Sequence, residues 1–295
     1  MFTRWTLSFA LLGGLALWQA PGDDSAPKAV PANHALSAAT PITDFGVAAQ
    51  KVAPAVYFVG SKKAGVGGTA VCIHVQARLL ATAAHVADLR ILHGELYAMR
   101  NGFGDPWRRV VQVWYPFELP RHTADLKTIW GLAPVKDSVY NRVSAPYRDV
   151  AVLQLEDYAS AMPILPAEIP LASKDQLFLG RSVGLLGFPT YGLKHPWPHP
   201  GDPLVAIFDQ GFVKRETGHD LARGVSAVLD YSIGCYPGNS GAPLFTSDGF
   251  LVAIHSGNRM SHFGSGPSVW ELWRCIEQHE DLRRLFAEKN RVSRK

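Results

Sequence analysis

The chain has 295 residues, of which 47% are hydrophobic and 18% charged, so it can bury the core of one large domain or of two small ones. Its 27 Gly and 21 Pro favour frequent turns over long helices, which indicates a mostly β protein. The net charge of +4 comes with no Lys/Arg run before the last dozen residues, which excludes a basic surface for nucleic acid. Three cysteines at wide spacing exclude a disulfide framework and a CxxC metal pair.

Residues 1–20 are typical of a signal peptide or an N-terminal membrane anchor. One basic residue, Arg4, precedes an uncharged run from Trp5 to Leu17. Small residues at Gly14 and Ala16 suit a signal peptidase, and the run is a little short of the ~17 to 20 residues that span a bilayer. We therefore expect a secreted or periplasmic protein, with the membrane as a partner only if this segment stays uncleaved.

Residues 21–43 are rich in Ala, Pro and Ser without a hydrophobic period, which predicts a flexible linker before a folded domain over 44–295. Short Val/Ile/Leu/Phe-rich runs then alternate with Gly, Pro and Asp/Asn, and ten of them predict strands in a barrel or sandwich fold. The predicted strands are 55–60, 69–75, 78–82, 110–115, 150–155, 182–186, 205–213, 226–231, 242–245 and 251–255.

Two stretches depart from this strand pattern. Residues 116–146 lack a clean period and predict a long insertion or a decorated hairpin. Beyond Ser268, which is placed as an N-cap, apolar residues recur at spacings near 3.6 and predict one closing helix over about 268–288.

A candidate nucleophile lies in residues 234–244, Gly-Cys-Tyr-Pro-Gly-Asn-Ser-Gly-Ala-Pro-Leu. A nucleophilic serine needs a tight turn and backbone N–H groups aimed at the developing oxyanion, and glycines permit that close approach. Ser240 would be the nucleophile, with the amides of Gly238 and Ser240 as oxyanion donors. Taken alone, the segment is equally well read as a Gly/Pro-rich turn between strands.

His85 and Asp149 are the candidate partners of this serine. His85 follows a strand that ends in small residues, Thr82-Ala83-Ala84, which leaves room for an imidazole in a crowded cleft. Asp149 opens an apolar strand, where a buried carboxylate is costly unless it accepts hydrogen bonds, for example from a histidine. The alternatives are an ordinary packed histidine and an aspartate that caps a turn.

Together the three motifs resemble the trypsin-like serine peptidases, whose His, Asp, Ser order they share. They are Thr82-Ala83-Ala84-His85, residues 149–153 (Asp-Val-Ala-Val-Leu) and residues 238–244. Residues 52–57 are similar to the start of bacterial HtrA/Deg-type protease domains, and residues 187–189 to a segment of those enzymes and of glutamyl endopeptidases. The resemblance covers roughly residues 45–265.

The resemblance implies two perpendicular six-stranded antiparallel β-barrels with the active site between them. The first would span about 50–165, the second about 175–265, and the C-terminal helix would follow. Only 55 residues follow Ser240, so no PDZ domain of the HtrA type is expected. Asn239 stands where zymogen-activated members carry an Asp, which argues against activation by an ion pair with a new N-terminus.

The implied function is peptide-bond hydrolysis of a polypeptide substrate by a Ser240–His85–Asp149 triad, without metal or cofactor. A metal site at His195 and His199 is not favoured, because prolines between them prevent a helix. The alternative function is an inactive protease-fold binding protein, although such a protein has no reason to keep all three triad residues. The sequence leaves the oligomeric state open.

The specificity pocket would be formed by Gly234, Cys235 and Tyr236 together with His255, Ser256 and Gly257. Gly234 carries no carboxylate, so a trypsin-like preference for Lys or Arg is not expected. His255 matches the position where glutamyl endopeptidases place a histidine that contacts substrate Glu, whereas Cys235 replaces their usual hydroxyl donor. Acidic residues and small apolar residues therefore both remain candidates for the position before the cut.

Overall fold

The computed structural model describes residues 45–100, 107–116, 149–157, 165, 167–173, 178–189, 205–217, 227–234, 236–260 and 263–292. The predicted leader and linker, nearly all of the 116–146 insertion, the histidines at 195 and 199 and Cys235 lie outside these residues. Residues Thr43–Lys295 form one unit, whose described residues contain two β-sheets and three groups of helices.

The N-terminal sheet is a closed antiparallel barrel with the strand order β1-β2-β3-β6-β5-β4. The side chains of β1 and β6 are almost all buried, because these strands pack on the barrel interior with one face and on neighbouring elements with the other, whereas β5 alternates between buried and exposed residues over Arg108–Val111. The strands are β1 Val56–Ser61, β2 Val66–His74, β3 Leu79–Thr82, β4 Tyr97–Arg100, β5 Arg108–Trp114 and β6 Ala151–Leu155.

The second sheet has the order β11-β10-β7-β8-β9-β13-β12. It has seven strands where six were expected, since the chain after β11 returns as a Gly- and Ser-rich hairpin, β12–β13, that carries few β-favouring residues. The strands are β7 Ser182–Gly187, β8 Ile207–Thr217, β9 Val228–Tyr231, β10 Pro243–Phe245, β11 Leu251–Ile254, β12 Gly257–Met260 and β13 Phe263–Pro267. The predicted all-β class is confirmed.

Helices lie before, within and after the sheets. Helix α1, Phe45–Val52, continues into a 3₁₀ turn, Ala53–Ala55, that leads into β1, while α2, Ala84–Ala87, and α3, Leu89–His93, connect β3 to β4. The C-terminal helix predicted over 268–288 is present but divided into α4, Val269–Gln278, and α5, Glu280–Val292. The break is at His279, whose extended backbone places its ring nitrogen Nε2 2.8 Å from the Tyr115 carbonyl.

Three further features bear on the sequence-based expectations. Cys72 and Cys275 are buried free thiols. No helix among the described residues is both long and apolar enough to cross a membrane. In the same part of the chain, no three metal-ligating side chains come together.

Candidate active site

Pairing between β3 and β6 brings His85 and Asp149 together. The strands are antiparallel and Thr82 pairs with Ala151, so the end of β3 lies beside the beginning of β6. The small residues after Thr82 allow α2 to begin at once, and His85 is its second residue. The ring Nδ1 of His85 is 2.6 Å from Asp149 Oδ2, and the backbone amide of His85 donates to Asp149 Oδ1 at 2.9 Å.

The environment of Asp149 keeps it ionised. Burial by itself raises the pKa of this carboxyl, but the adjacent His85 and the hydrogen bonds from His85 and Ser256 outweigh burial and hold the pKa well below its usual range. An ionised carboxylate can only accept hydrogen bonds, so His85 Nδ1 carries the proton and donates it. The other ring nitrogen, Nε2, is thereby left as a base in the neutral ring.

Ser256 contacts both Asp149 and the candidate nucleophile. Its Oγ donates to Asp149 Oδ2, and its carbonyl accepts a long hydrogen bond, 3.4 Å, from Ser240 Oγ. Ser256 follows β11 and was predicted from sequence as a pocket residue. The structure places its side chain on the Asp149 carboxylate, a contact across 107 residues that no local pattern could reveal.

Ser240 sits directly after a tight turn. The Asn239 amide donates to the Tyr236 carbonyl at 3.0 Å, Pro237 occupies the second position of the turn, and Gly238 has φ +95°. This is the pattern of a type II turn, in which the third position favours glycine. Neither the Gly238 amide nor the Ser240 amide donates to any residue that the structure describes. Among the described residues, the two predicted oxyanion donors therefore have no hydrogen-bond acceptor.

Thr69 of the N-terminal barrel forms hydrogen bonds with the backbone of this loop. The carbonyl of Ser240 accepts from the Thr69 amide at 2.7 Å, and the carbonyl of Gly238 accepts from Thr69 Oγ1 at 2.8 Å. The Gly241 amide donates to the His255 carbonyl at 2.7 Å. Sequence reasoning missed Thr69, since a threonine near the start of a strand has the propensity of any strand residue.

The predicted pocket residues are placed differently from one another. Tyr236 is 45% exposed and its ring lies near Gly234, whereas Cys235 is outside the described residues. A Cβ atom at Gly257 would meet no atom within 4 Å, so this position borders open space. Residues 236–241, which include Ser240, are called the nucleophile loop. Tyr236 of this loop also lines a cavity of about 300 Å³, together with Leu185, Pro189, Ile207, Phe208, Asp209 and Asn239.

His255 is fully buried and its Nδ1 shares a hydrogen bond with the Tyr231 hydroxyl. Burial, with a contribution from the nearby His85 and against that of Asp149, lowers the pKa of His255 to about 3. The ring is therefore neutral near pH 7, so it can form hydrogen bonds but carries no positive charge.

These features can be compared with known proteins. A family model described as a trypsin-like peptidase domain matches residues 68–254, which span the three motifs. The chain belongs to the trypsin-like peptidase family. This peptidase is accordingly a serine endopeptidase, a hydrolase that acts on polypeptides. No curated protein matches its sequence closely enough to count as a relative.

The chain is also similar to solved structures of other proteins. The serine endoprotease from Yersinia pestis is 18% identical, with 82% of this peptidase and 67% of that chain covered and a TM-score of 0.50. Rv3671c from M. tuberculosis H37Rv, in an inactive form, is 16% identical over 78% of this chain and 89% of that one, with a TM-score of 0.49. Deg5 is 15% identical over 75% and 87%, with a TM-score of 0.47.

Proposed function

We propose that this peptidase cuts polypeptides through an acyl-enzyme formed on Ser240, with His85 as general base and acid and Asp149 as its partner. The observation that carries the proposal is the His85–Asp149 hydrogen bond at 2.6 Å beside a turn whose Gly238 and Ser240 amides have no described acceptor. A binding protein without turnover needs neither feature.

The proposed steps assign each of these groups one role. Ser240 Oγ attacks the scissile carbonyl carbon while His85 Nε2 takes its proton, and the carbonyl oxygen becomes an oxyanion that the two amides bind. The C–N bond then breaks and His85 returns the proton to the leaving amine. Water repeats the sequence on the acyl-enzyme, which frees the acid product and Ser240. Asp149 stabilises the His85 cation in both halves.

The test compares wild type with Ser240→Ala for fluorophosphonate labelling and hydrolysis of a peptide library. Loss of one half-buried hydroxyl should leave folding intact, abolish labelling and reduce hydrolysis on the order of 10⁴- to 10⁶-fold. Ser182→Ala, at the exposed start of β7, is the matched control and should behave as wild type. A wild type that neither labels nor cleaves any peptide would support the alternative, an inactive binding protein.

For specificity, we propose a pocket that accepts a small apolar residue before the cut. Full burial and neutrality of His255 support this choice over Glu or Asp, since a neutral ring provides no charge to balance a carboxylate. The library should then show kcat/KM for Ala or Val at least equal to that for Glu. A Glu preference that falls roughly 10- to 150-fold in His255→Gln would instead assign the acidic pocket.

We also propose that the protein is exported through residues 1–20. The support is the apolar run after Arg4 in the sequence. Cell fractionation of the full chain and of a chain lacking residues 1–20 tests this. Export predicts that only the full chain leaves the cytoplasm, and a membrane-bound full-length product would indicate an uncleaved anchor.

A further inference from the structure

Thr69 is a fully buried threonine whose side chain and backbone make four polar contacts. Its Oγ1 donates to the Gly238 carbonyl at 2.8 Å and accepts from the Phe188 amide at 3.1 Å. Its backbone amide donates to the Ser240 carbonyl at 2.7 Å. Its own carbonyl accepts from Thr82 Oγ1 at 2.6 Å. One residue of β2 thus binds the carbonyls of both residues that are predicted to supply oxyanion donors.

We propose that Thr69 is a positioning residue for the oxyanion hole, and that its hydroxyl fixes Gly238 in the orientation that catalysis requires. The proposal rests on the function proposed above. Thr69 touches neither substrate nor the reacting atoms; it acts through Gly238 and Ser240.

The direction of the hydroxyl proton follows from the partners. The Phe188 amide can only donate, so it occupies a lone pair of Oγ1 and cannot receive the proton. The Gly238 carbonyl can only accept, so the O–H points to it. Both contacts are buried, where a hydrogen bond is not weakened by competing water. The hydroxyl therefore ties the loop to the end of β7 as well as to β2.

Gly238 needs such a restraint more than its neighbours do. Gly238 has φ +95° and no Cβ atom that would limit its backbone conformation. Among the described residues, only Thr69 donates a hydrogen bond to its carbonyl. Replacing the hydroxyl by a methyl leaves the Gly238 carbonyl and the Phe188 amide buried without this partner, a situation that buried backbone groups avoid. We expect the turn to relax and the Gly238 amide to leave its position, while the Ser240 carbonyl stays bound to the Thr69 amide.

The experiment uses two pairs of full-length proteins that differ by one hydroxyl: wild type with Thr69→Val, and Thr69→Ser with Thr69→Ala. Each is measured for kcat and KM on one peptide and for the affinity of a peptide boronic acid, which forms a tetrahedral adduct with the serine. Thermal unfolding of each protein sets an assay temperature at which all are folded. Thr246→Val, in the β10–β11 turn, is the control for the substitution itself.

The hydroxyl-free member of each pair should lose about 10- to 100-fold in kcat and a similar factor in boronate affinity, less than the 10²- to 10³-fold that follows complete removal of an oxyanion donor. KM should change by less than about threefold, because ground-state binding does not use the oxyanion hole. Thr69→Ser should keep most of the wild-type kcat.

Equal kcat within the pairs, or a loss confined to KM, overturns the role of Thr69. If Thr69→Val does not fold, the Ser and Ala variants decide the question by the same criterion. A wild type that neither cleaves nor labels overturns this proposal together with the proposed function, whereas an active wild type with an unaffected Thr69→Val overturns only the role of Thr69.

Discussion

Asp149 illustrates how a single buried carboxylate determines the chemical state of its neighbour. It accepts from the His85 amide, the His85 ring and the Ser256 hydroxyl, and these donors offset the desolvation of its charge. The same set fixes the ring orientation and the tautomer of His85. An asparagine at position 149 would have the same shape as the aspartate. Its NH₂ group would, however, donate a hydrogen bond where the carboxylate accepts one.

Asp149→Asn should therefore reduce kcat/KM by about 10⁴-fold, since the amide NH₂ favours the tautomer whose Nδ1 is the acceptor. Asp157→Asn, an exposed residue paired with Arg78 at 3.4 Å just beyond β6, is the matched control and should have little effect. Steady-state kinetics of both variants decide the assignment. Asp125 is an aspartate in the predicted 116–146 insertion. If Asp125→Asn abolishes activity and Asp149→Asn does not, the triad acid lies in that insertion.

His255 predicts a pH dependence of stability. Its pKa is about 3 in the folded protein and ~6.5 in an unfolded chain, so between these values the unfolded state binds a proton that the folded state does not. The contribution of His255 to the free energy of unfolding is therefore complete above pH ~6.5. It is lost on acidification with a slope of at most about 1.4 kcal/mol per pH unit. Urea unfolding from pH 8 to 4 should show a steeper loss in wild type than in His255→Gln. Parallel curves would contradict this account.

Two kinds of site residue differ in how far the sequence could predict them. His85, Asp149 and Ser240 are identifiable because their chemistry requires those side chains in a characteristic local setting of small residues and strand ends. Ser256 and Thr69 reach the site only through contacts across 107 and 169 residues, and a hydroxyl in a strand has no local mark of that use. Their roles depend on the tertiary fold.

At the scale of elements, the nucleophile loop is held by close backbone packing at Gly241. This residue has φ +88°, and a Cβ atom there would lie 1.9 Å from the Thr69 carbonyl oxygen. Gly249 has nearly the same φ, +84°, but a Cβ atom there would meet nothing within 4 Å. Alanine substitutions at these two glycines therefore distinguish two losses of stability: the loss from the left-handed backbone conformation, which both share, and the loss from the clash with Thr69, which occurs only at Gly241.

Gly249→Ala should cost roughly 1 to 2 kcal/mol in unfolding free energy and leave hydrolysis unchanged, since only the left-handed conformation is penalised. Gly241→Ala adds a backbone clash, so it should cost more stability and displace Ser240, with loss of fluorophosphonate labelling. Urea unfolding and labelling rates measure both effects. Equal stability losses in the two variants, with labelling retained, would show that the loop can move away from Thr69 without consequence.

The strands themselves were predictable where they carry apolar β-favouring residues, and all ten predicted strands overlap observed ones. The three that were missed have a physical explanation. Strand β4, Tyr97–Arg100, has a single aromatic or β-branched residue, Tyr97, and β12 and β13 are dominated by Gly, Asn, Ser and Pro, which are rare in strands. Strand β13 pairs with β9 because Gly264 leaves room for the ring of Tyr231, and Gly266 leaves room for the backbone of Ile254.

At the scale of the whole molecule, the proposed active site draws on both sheets. His85 and Asp149 lie at the ends of strands of the first barrel, and Ser240 and Ser256 lie next to strands of the second sheet, so a shift of one sheet against the other would separate the proposed base from the proposed nucleophile. Helix α1 is one connection between them. It leads into β1 of the first barrel, yet its first residue, Phe45, packs its ring on Phe208 of β8 and Phe245 of β10 at centroid distances of 6.5 and 6.3 Å.

Phe45→Ala should therefore lower the free energy of unfolding by about 3 kcal/mol, the low end for a buried phenylalanine, because Phe208 is itself 36% exposed and already in part hydrated. Val47→Ala on the same helix is the matched control: this side chain is 50% exposed, and its loss should change stability by less than about 0.5 kcal/mol. Urea unfolding followed by tryptophan fluorescence and by residual peptide hydrolysis provides the measurement. Because the site spans both sheets, the two midpoints should fall together in Phe45→Ala, and a shift no larger than that of Val47→Ala would mean that α1 does not hold the sheets together.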